Sequence, residues 1–339
     1  AGAVRIDAAG CLVAPGLVDL QCNGGHGLDL TTDPGSVWEL GELLPRYGVT
    51  GFLPTMITAR PDTYELALAV LADRPSGFRG AEPLGWHFEG PMLAESKKGA
   101  HPARWLRPPS LKLTEGWSRA SGVALVTLAP ELPGALEVVR ALVARGVLVS
   151  AGHTTATTAQ VQAALGAGVK MLTHLFNAMP ALGHRDPGPV GVALAGDVTA
   201  GLIVDGIHVD RAVVRAAWRA MGSERIALVT DAVAALGLPP GRRPLGDREL
   251  VVGDDGVRLV DGTLAGSNLS LDQAVRNTVA FAGCAPSEAL AAASATPARL
   301  LGDPDRGSLV EGRRADLVVL DADLQVRATV IGGAICFRA

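Results

Sequence analysis

Long apolar runs, paired cysteines, aromatic residues and basic clusters are all scarce in these 339 residues, and each scarcity closes off a class. No apolar run reaches the ~18 residues that a membrane-spanning helix needs, and no leader-type pattern is visible, so no membrane partner is expected. The four cysteines (Cys11, Cys22, Cys284, Cys336) form no CxxC pair. So few in so long a chain argue against a disulfide framework and for a reduced, cytoplasmic protein. Lysine occurs only at Lys97, Lys98, Lys112 and Lys170, the net charge is −4, and aromatics are 4% of the chain. That leaves no basic stripe interleaved with stacking rings, and a nucleic-acid partner is not expected. With 48% hydrophobic and 19% charged residues, the chain can bury a large core. Its length suits one large domain, alone or with a smaller one.

Eight short apolar runs set a rhythm, at residues 17–20, 51–56, 84–88, 123–128, 147–151, 169–172, 201–204 and 226–229. Amphipathic segments lie between many of them, at 37–47, 63–73, 134–145, 157–166 and 211–221. Eight βα units predict an α/β fold, a (β/α)8 barrel of the TIM type over residues 15–305. A doubly wound sheet would more naturally carry a G-x-G-x-x-G loop after its first strand. Gly24-Gly25-His26-Gly27 lacks that spacing. Beyond the rhythm, 237–246 reads as a Gly/Pro-rich loop, 250–252 with 257–260 as a hairpin, and 272–282 and 287–293 as helices closed by Pro297. Strand-like pieces at 4–6 and 11–13 match others at 315–320, 326–331 and 334–337, with Gly332-Gly333 as a turn. The two chain ends, 1–14 and 306–339, are therefore expected to build a small β-sandwich domain.

In such barrels the chemistry sits where strands end at the carboxyl face. Two consecutive units end in Gly152-His153 and Thr173-His174, with a helical segment between them. Neighbouring strands lie about 4.8 Å apart, so both imidazoles can reach one ion through bonds of about 2.0–2.1 Å. Glu89 ends a third run and is costly to bury unless paired or metal-bound. Glu89, His153 and His174 together resemble a catalytic zinc-type set with an open position for water. Asp231, ending the eighth run, can deprotonate that water and protonate a leaving group, or merely cap a helix. His87 shares a strand face with Glu89 and reads as a second ligand or, better, as a support for the first ones. His101, in Lys97-Lys98-Gly99-Ala100-His101, can hydrogen-bond a substrate carbonyl or be a solvated loop residue. Arg185 and His208 suit an anionic substrate group.

The segments Pro15-Gly16-Leu17-Val18-Asp19, HFEGP ending at Pro91, KGAH ending at His101, AGHTTA from Ala151 and THLFNAM from Thr173 occur in order. HRDPG from His184, DGIHV from Asp205, TDA from Thr230 and LAGS from Leu264 follow. Together they resemble the N-acetylglucosamine-6-phosphate deacetylases of the metal-dependent amidohydrolase superfamily. The resemblance implies removal of acetate from N-acetyl-D-glucosamine 6-phosphate, in amino-sugar catabolism and cell-wall recycling. It assigns the metal to Glu89, His153 and His174, general base and acid to Asp231, and the acetyl carbonyl to His101. It gives the sugar phosphate to Asn177, Ala178, Arg185 and His208, in part across a homodimer interface, and the sugar pocket to Ala100, Leu264, Ala265 and Gly266. Where many amidohydrolases carry His-x-His on the first strand, this chain has Gln21-Cys22-Asn23. Gln21 and Asn23 therefore read either as supports behind the metal ligands or as a vestigial second-metal position, and one divalent ion is expected: zinc first, with iron, cobalt and manganese also suited. Cys22 faces away and reads as core. The chain opens at Ala1, where the resembled family has further strands, so the small β domain is expected to be incomplete. Two other readings stay open: a related amidohydrolase acting on another N-acyl substrate, such as the galactosamine epimer, and a non-catalytic sugar-phosphate binder.

Overall fold

The computed structural model describes residues 5–245 and 248–339. All eight anticipated runs are strands. After β1 (Leu12–Pro15) come β2 (Leu17–Cys22), β3 (Val49–Met56), β4 (Trp86–Glu89) and β5 (Val123–Leu128). β6 (Leu148–Ala151), β7 (Met171–Leu172), β8 (Thr199–Leu202) and β9 (Ile226–Leu228) follow. β2 to β9 pair in chain order and in parallel. Just past β9, Ala232 bridges Cys22 in parallel, the Asn23 N–H donates to the Ala232 carbonyl at 2.7 Å, and the Asp231 N–H donates to Gln21 at 2.9 Å. The last strand thus meets the first, and the sheet closes into a barrel. β2, β3 and β5 are buried along their whole length, as parallel strands covered on both faces must be. Cys22 lies within this core, 1% exposed.

Helices α1 (Val37–Leu43), α2 (Pro61–Ala72), α3 (Ala135–Ala144), α4 (Thr158–Ala167), α5 (Gly188–Ala195) and α6 (Arg211–Arg225) wrap the barrel. α4 starts where Thr157 and Gln160 form a capping box and stops at Gly168, φ 116°. Gly222, φ 66°, breaks α6 just past Met221. α7 (Leu271–Ala282), α8 (Pro286–Ala292) and α9 (Ala295–Leu300) close the region. Pro297 does not end this region as expected. It lies in the first turn of α9, where its missing N–H removes no helical bond.

The stretch read as a Gly/Pro loop is partly a strand. β10 (Gly241–Leu245) pairs with β11 (Arg248–Gly253), and β11 pairs with β12 (Gly256–Leu259) as the anticipated hairpin. Pro244 is tolerated because β10 is an edge strand. This insertion packs Leu250, Val252 and Val257 on Val233, Ala235 and Ala265, with Ala100 against the same cluster. The chain ends meet in one antiparallel sheet of order β1, β13 (Leu317–Leu320), β14 (Val326–Ile331), β15 (Ala334–Arg338). Gly332 and Gly333, both with positive φ, make its last turn. Thr329 of β14 donates to the Pro45 carbonyl at 2.6 Å and ties the sheet to the barrel. Of the first strand-like piece, Val4 lies outside the described residues, and Arg5 and Ile6 form no strand.

Candidate metal centre and active site

The ends of β4, β6, β7 and β9 bring Glu89, His153, His174 and Asp231 around one cavity of about 340 Å³, within the ~300–1,000 Å³ of small-ligand clefts. Their backbone is shaped for this. Among the described residues, seven non-glycine residues have positive φ, and five of them are His153, His174, Phe176, Ala178 and Asp231. Strained φ of this kind costs about 1–3 kcal/mol each and persists where the surroundings enforce it. The three strand-end turns therefore bring His153, His174, Ala178 and Asp231 to the cavity wall against local preference.

Glu89 Oε1 lies 3.2 Å from His153 Nε2 and 3.0 Å from His174 Nε2, and those nitrogens are 3.1 Å apart. Donors of a tetrahedral ion with 2.0–2.1 Å bonds sit about 3.3 Å apart, so the spacing fits. His153 Nδ1 is 2.7 Å from the Lys97 carbonyl, which can only accept. The proton therefore sits on Nδ1, and the Nε2 lone pair faces Glu89, an outer-shell arrangement typical of metal-binding histidine. His174 Nδ1 is buried without a partner. The ligand atoms of Glu89, His101 and His153 also lie within 4.8 Å of one another. The tautomer sets His101 apart. The Thr58 N–H donates to His101 Nδ1 at 3.1 Å, so the neutral ring carries its proton on Nε2. That N–H points toward Glu89 Oε2, 3.6 Å away, and can donate to a ligand. Glu89, His153 and His174 thus fit a divalent ion better than a set containing His101.

Electrostatics agree with the roles of Glu89, His101 and Asp231. Burial would raise the Glu89 carboxyl, but His101, His153 and His174 hold it well below the usual carboxylate range. Burial, with repulsion from His153, takes His101 down to about 4, so its ring is neutral. Burial, reinforced by the charge of Glu89, pushes Asp231 up to about 6, against the hydrogen bond from Asn23. Asp231 Oδ1 accepts from Asn23 Nδ2 at 2.7 Å and from Gln21 Nε2 at 3.1 Å.

Ala100, Asn177, Ala178, His208, Leu264, Ala265 and Gly266 line the cavity, along with Asn23 and Lys97. His208 Nδ1 donates to Asp205 Oδ2 at 2.6 Å, which fixes its ring. Arg185 is exposed and outside the cavity lining of its own chain. His87 is fully buried, with its ring nitrogens on Thr55 Oγ1 at 3.2 Å and Thr127 Oγ1 at 2.8 Å. Both nitrogens being engaged, it packs beneath the site and offers no ligand. Thr58, whose backbone N–H and hydroxyl meet His101 Nδ1 at 3.1 and 2.9 Å, lay outside every matching segment of the sequence. Asp19, which accepts from Thr230 Oγ1 at 2.6 Å and so braces the turn into Asp231, stood in a matching segment without a role.

The amidohydrolase family pattern matches residues 12–336. The chain is 41% identical to the N-acetylglucosamine-6-phosphate deacetylase of Homo sapiens, over 99% of this chain and 86% of that one. It superposes on the N-acetylglucosamine-6-phosphate deacetylase of Thermotoga maritima with a TM-score of 0.91 and 38% identity, covering 96% of this chain and 89% of that one. A mutant of the Mycobacterium smegmatis N-acetyl-D-glucosamine-6-phosphate deacetylase, in complex with N-acetyl-D-glucosamine-6-phosphate, superposes with a TM-score of 0.86 and 36% identity over 96% and 87% of the two chains. The chain belongs to the amidohydrolase family, among its N-acetylglucosamine-6-phosphate deacetylases.

Proposed function

We propose that this hydrolase converts N-acetyl-D-glucosamine 6-phosphate and water into D-glucosamine 6-phosphate and acetate, with the roles the site geometry supports. The observation that carries this is Asp231 facing the Glu89, His153 and His174 cluster across one cavity. Those three hold one divalent ion, zinc by the donor chemistry, although iron, cobalt and manganese suit the same set. When bound, such an ion lowers the pKa of a coordinated water toward ~7 and makes hydroxide available near neutral pH. Asp231 takes a proton from the attacking water and passes it to the amine nitrogen as the amide C–N bond breaks. His101 donates its Nε2–H to the acetyl carbonyl oxygen as negative charge develops there.

Asn177, Ala178 and His208 receive the phosphate end, and Ala100, Leu264, Ala265 and Gly266 flank the sugar. Arg185 is exposed and does not line its own cavity, which supports delivery to the site of a second copy in a homodimer. Four free cysteines, and no helix among the described residues long and apolar enough to cross a membrane, support a cytoplasmic setting. A panel of N-acetylglucosamine 6-phosphate and its galactosamine epimer tests the substrate. The gluco epimer is expected to lead in kcat/KM by about tenfold or more, as a site built around specific hydroxyls allows. Equal preference would undermine the gluco assignment, reversed preference would move it to the epimer, and no acetate from either would point to a binding protein.

A further inference from the structure

Two carboxamides occupy the first-strand end, and their hydrogen bonds are unequal. Gln21 Nε2 donates both its protons to carboxylates: one to Glu89 Oε1 at 3.1 Å, one to Asp231 Oδ1 at 3.1 Å. Asn23 Nδ2 donates to the same Asp231 Oδ1 at 2.7 Å. The other ends are empty-handed: Gln21 Oε1 and Asn23 Oδ1 are buried without a hydrogen-bond partner. Buried acceptors are normally satisfied, so two orphans on neighbouring inward positions call for a reason. Turning either amide would place a carbonyl oxygen about 3 Å from a carboxylate oxygen, a repulsive contact between two acceptors. The carboxylates therefore dictate the amide orientation, and the orphans result from it. The convergence also distinguishes the two oxygens of Asp231. Both N–H donors fall on Oδ1 and neither on Oδ2, in a residue that lines the cavity.

We propose that Gln21 and Asn23 are positioning residues for Asp231: they lock Oδ1 so that Oδ2 is the oxygen that exchanges protons with water and leaving amine, and Gln21 fixes that oxygen's place relative to Glu89. Gln21 is the neutral link between the carboxylate that holds the ion and the carboxylate that moves the proton. Of the two readings the sequence left for this pair, the supporting one is thereby given a specific task, proton transfer at Asp231. This rests on Asp231 being the base.

The test uses the ion-loaded protein and the variants Gln21→Met and Asn23→Leu, which keep side-chain size and remove the donors, with Asp231→Asn as control. Each is expected to lower kcat about 10- to 100-fold, the scale of a misplaced catalytic group, with KM within about twofold and ion content per chain unchanged. The acidic limb of the kcat profile is expected to move to higher pH, because N–H donors that favour the carboxylate are gone. Either variant alone suffices if the other fails to fold. Unchanged kcat in both variants would overturn the proposal. So would loss of the ion alongside kcat, which would make the pair supports of the metal only, or an unmoved acidic limb. If Asp231→Asn keeps full turnover, the assignment of the base fails first, whatever the amide variants do.

Discussion

Asp19 shows how far a single residue can be read. Its carboxylate accepts from the Gln21 N–H at 3.1 Å and from Thr230 Oγ1 at 2.6 Å, yet burial wins over these bonds and raises its pKa from 3.8 to about 7. The folded chain therefore keeps this proton over a range where the unfolded chain has lost it. The stability it contributes is full below about pH 4 and is lost as pH rises toward 7, by about 4 kcal/mol at 1.36 kcal/mol per unit. Urea unfolding of the protein and of Asp19→Asn between pH 5 and 8 checks this. The stability difference is expected to move in favour of the variant with rising pH and to level off above about pH 7; parallel curves would contradict it. The residues of the site were legible for one reason: titratable groups at the ends of apolar runs have to be there for chemistry or be paired. That logic found Glu89, His153, His174 and Asp231. It had no purchase on Thr58, an uncharged residue at no run end of its own, whose partner His101 is 43 positions away. Nor did it settle His87, which needed the hydroxyls of Thr55 and Thr127 in view.

At the scale of the element, the ends of β6 and β7 are the critical junction. A Cβ on Gly152 would lie 2.7 Å from Thr173 Cβ and 2.9 Å from Thr127 Cγ2. Gly152 and Thr173 each precede a histidine of the proposed metal set, so a side chain on Gly152 is expected to force His153 and His174 apart. Gly152→Ala is expected to cost about 1–3 kcal/mol, as overpacking does, and to weaken ion retention in dialysis against chelator. Gly166→Ala, with open space around it in α4, is the control and is expected to keep the ion. Equal retention in both would show that strand spacing does not set the site. The barrel strands were readable because parallel strands buried on both faces are continuous apolar runs. α5 was not, because Gly188, Pro189 and Gly191 read as breakers, although Pro189 falls in the first turn, where it is tolerated. β10 was hidden for a similar reason: its Gly and Pro read as a loop, and Pro is accepted within a sheet chiefly at an edge.

For the whole molecule, the proposed homodimer is tested through Arg185. If its guanidinium serves a neighbour's phosphate site, subunits carrying Arg185→Ala and subunits carrying Asp231→Asn complement each other in a two-fold dimer. Coexpressed in equal amounts and assayed below KM, they are expected to give about a quarter of the wild-type turnover, one complete site in half of the dimers. No gain over the separate variants would place Arg185 outside the reaction. The most direct measurement is acetate release from N-acetylglucosamine 6-phosphate, made together with ion content, before and after chelation and again after adding back zinc, iron or manganese. The expected result is about one ion per chain, as three protein donors with one open position imply, with turnover lost on chelation and restored by metal. Acetate release that survives complete removal of the ion would contradict the assignment of Glu89, His153 and His174 to a catalytic metal.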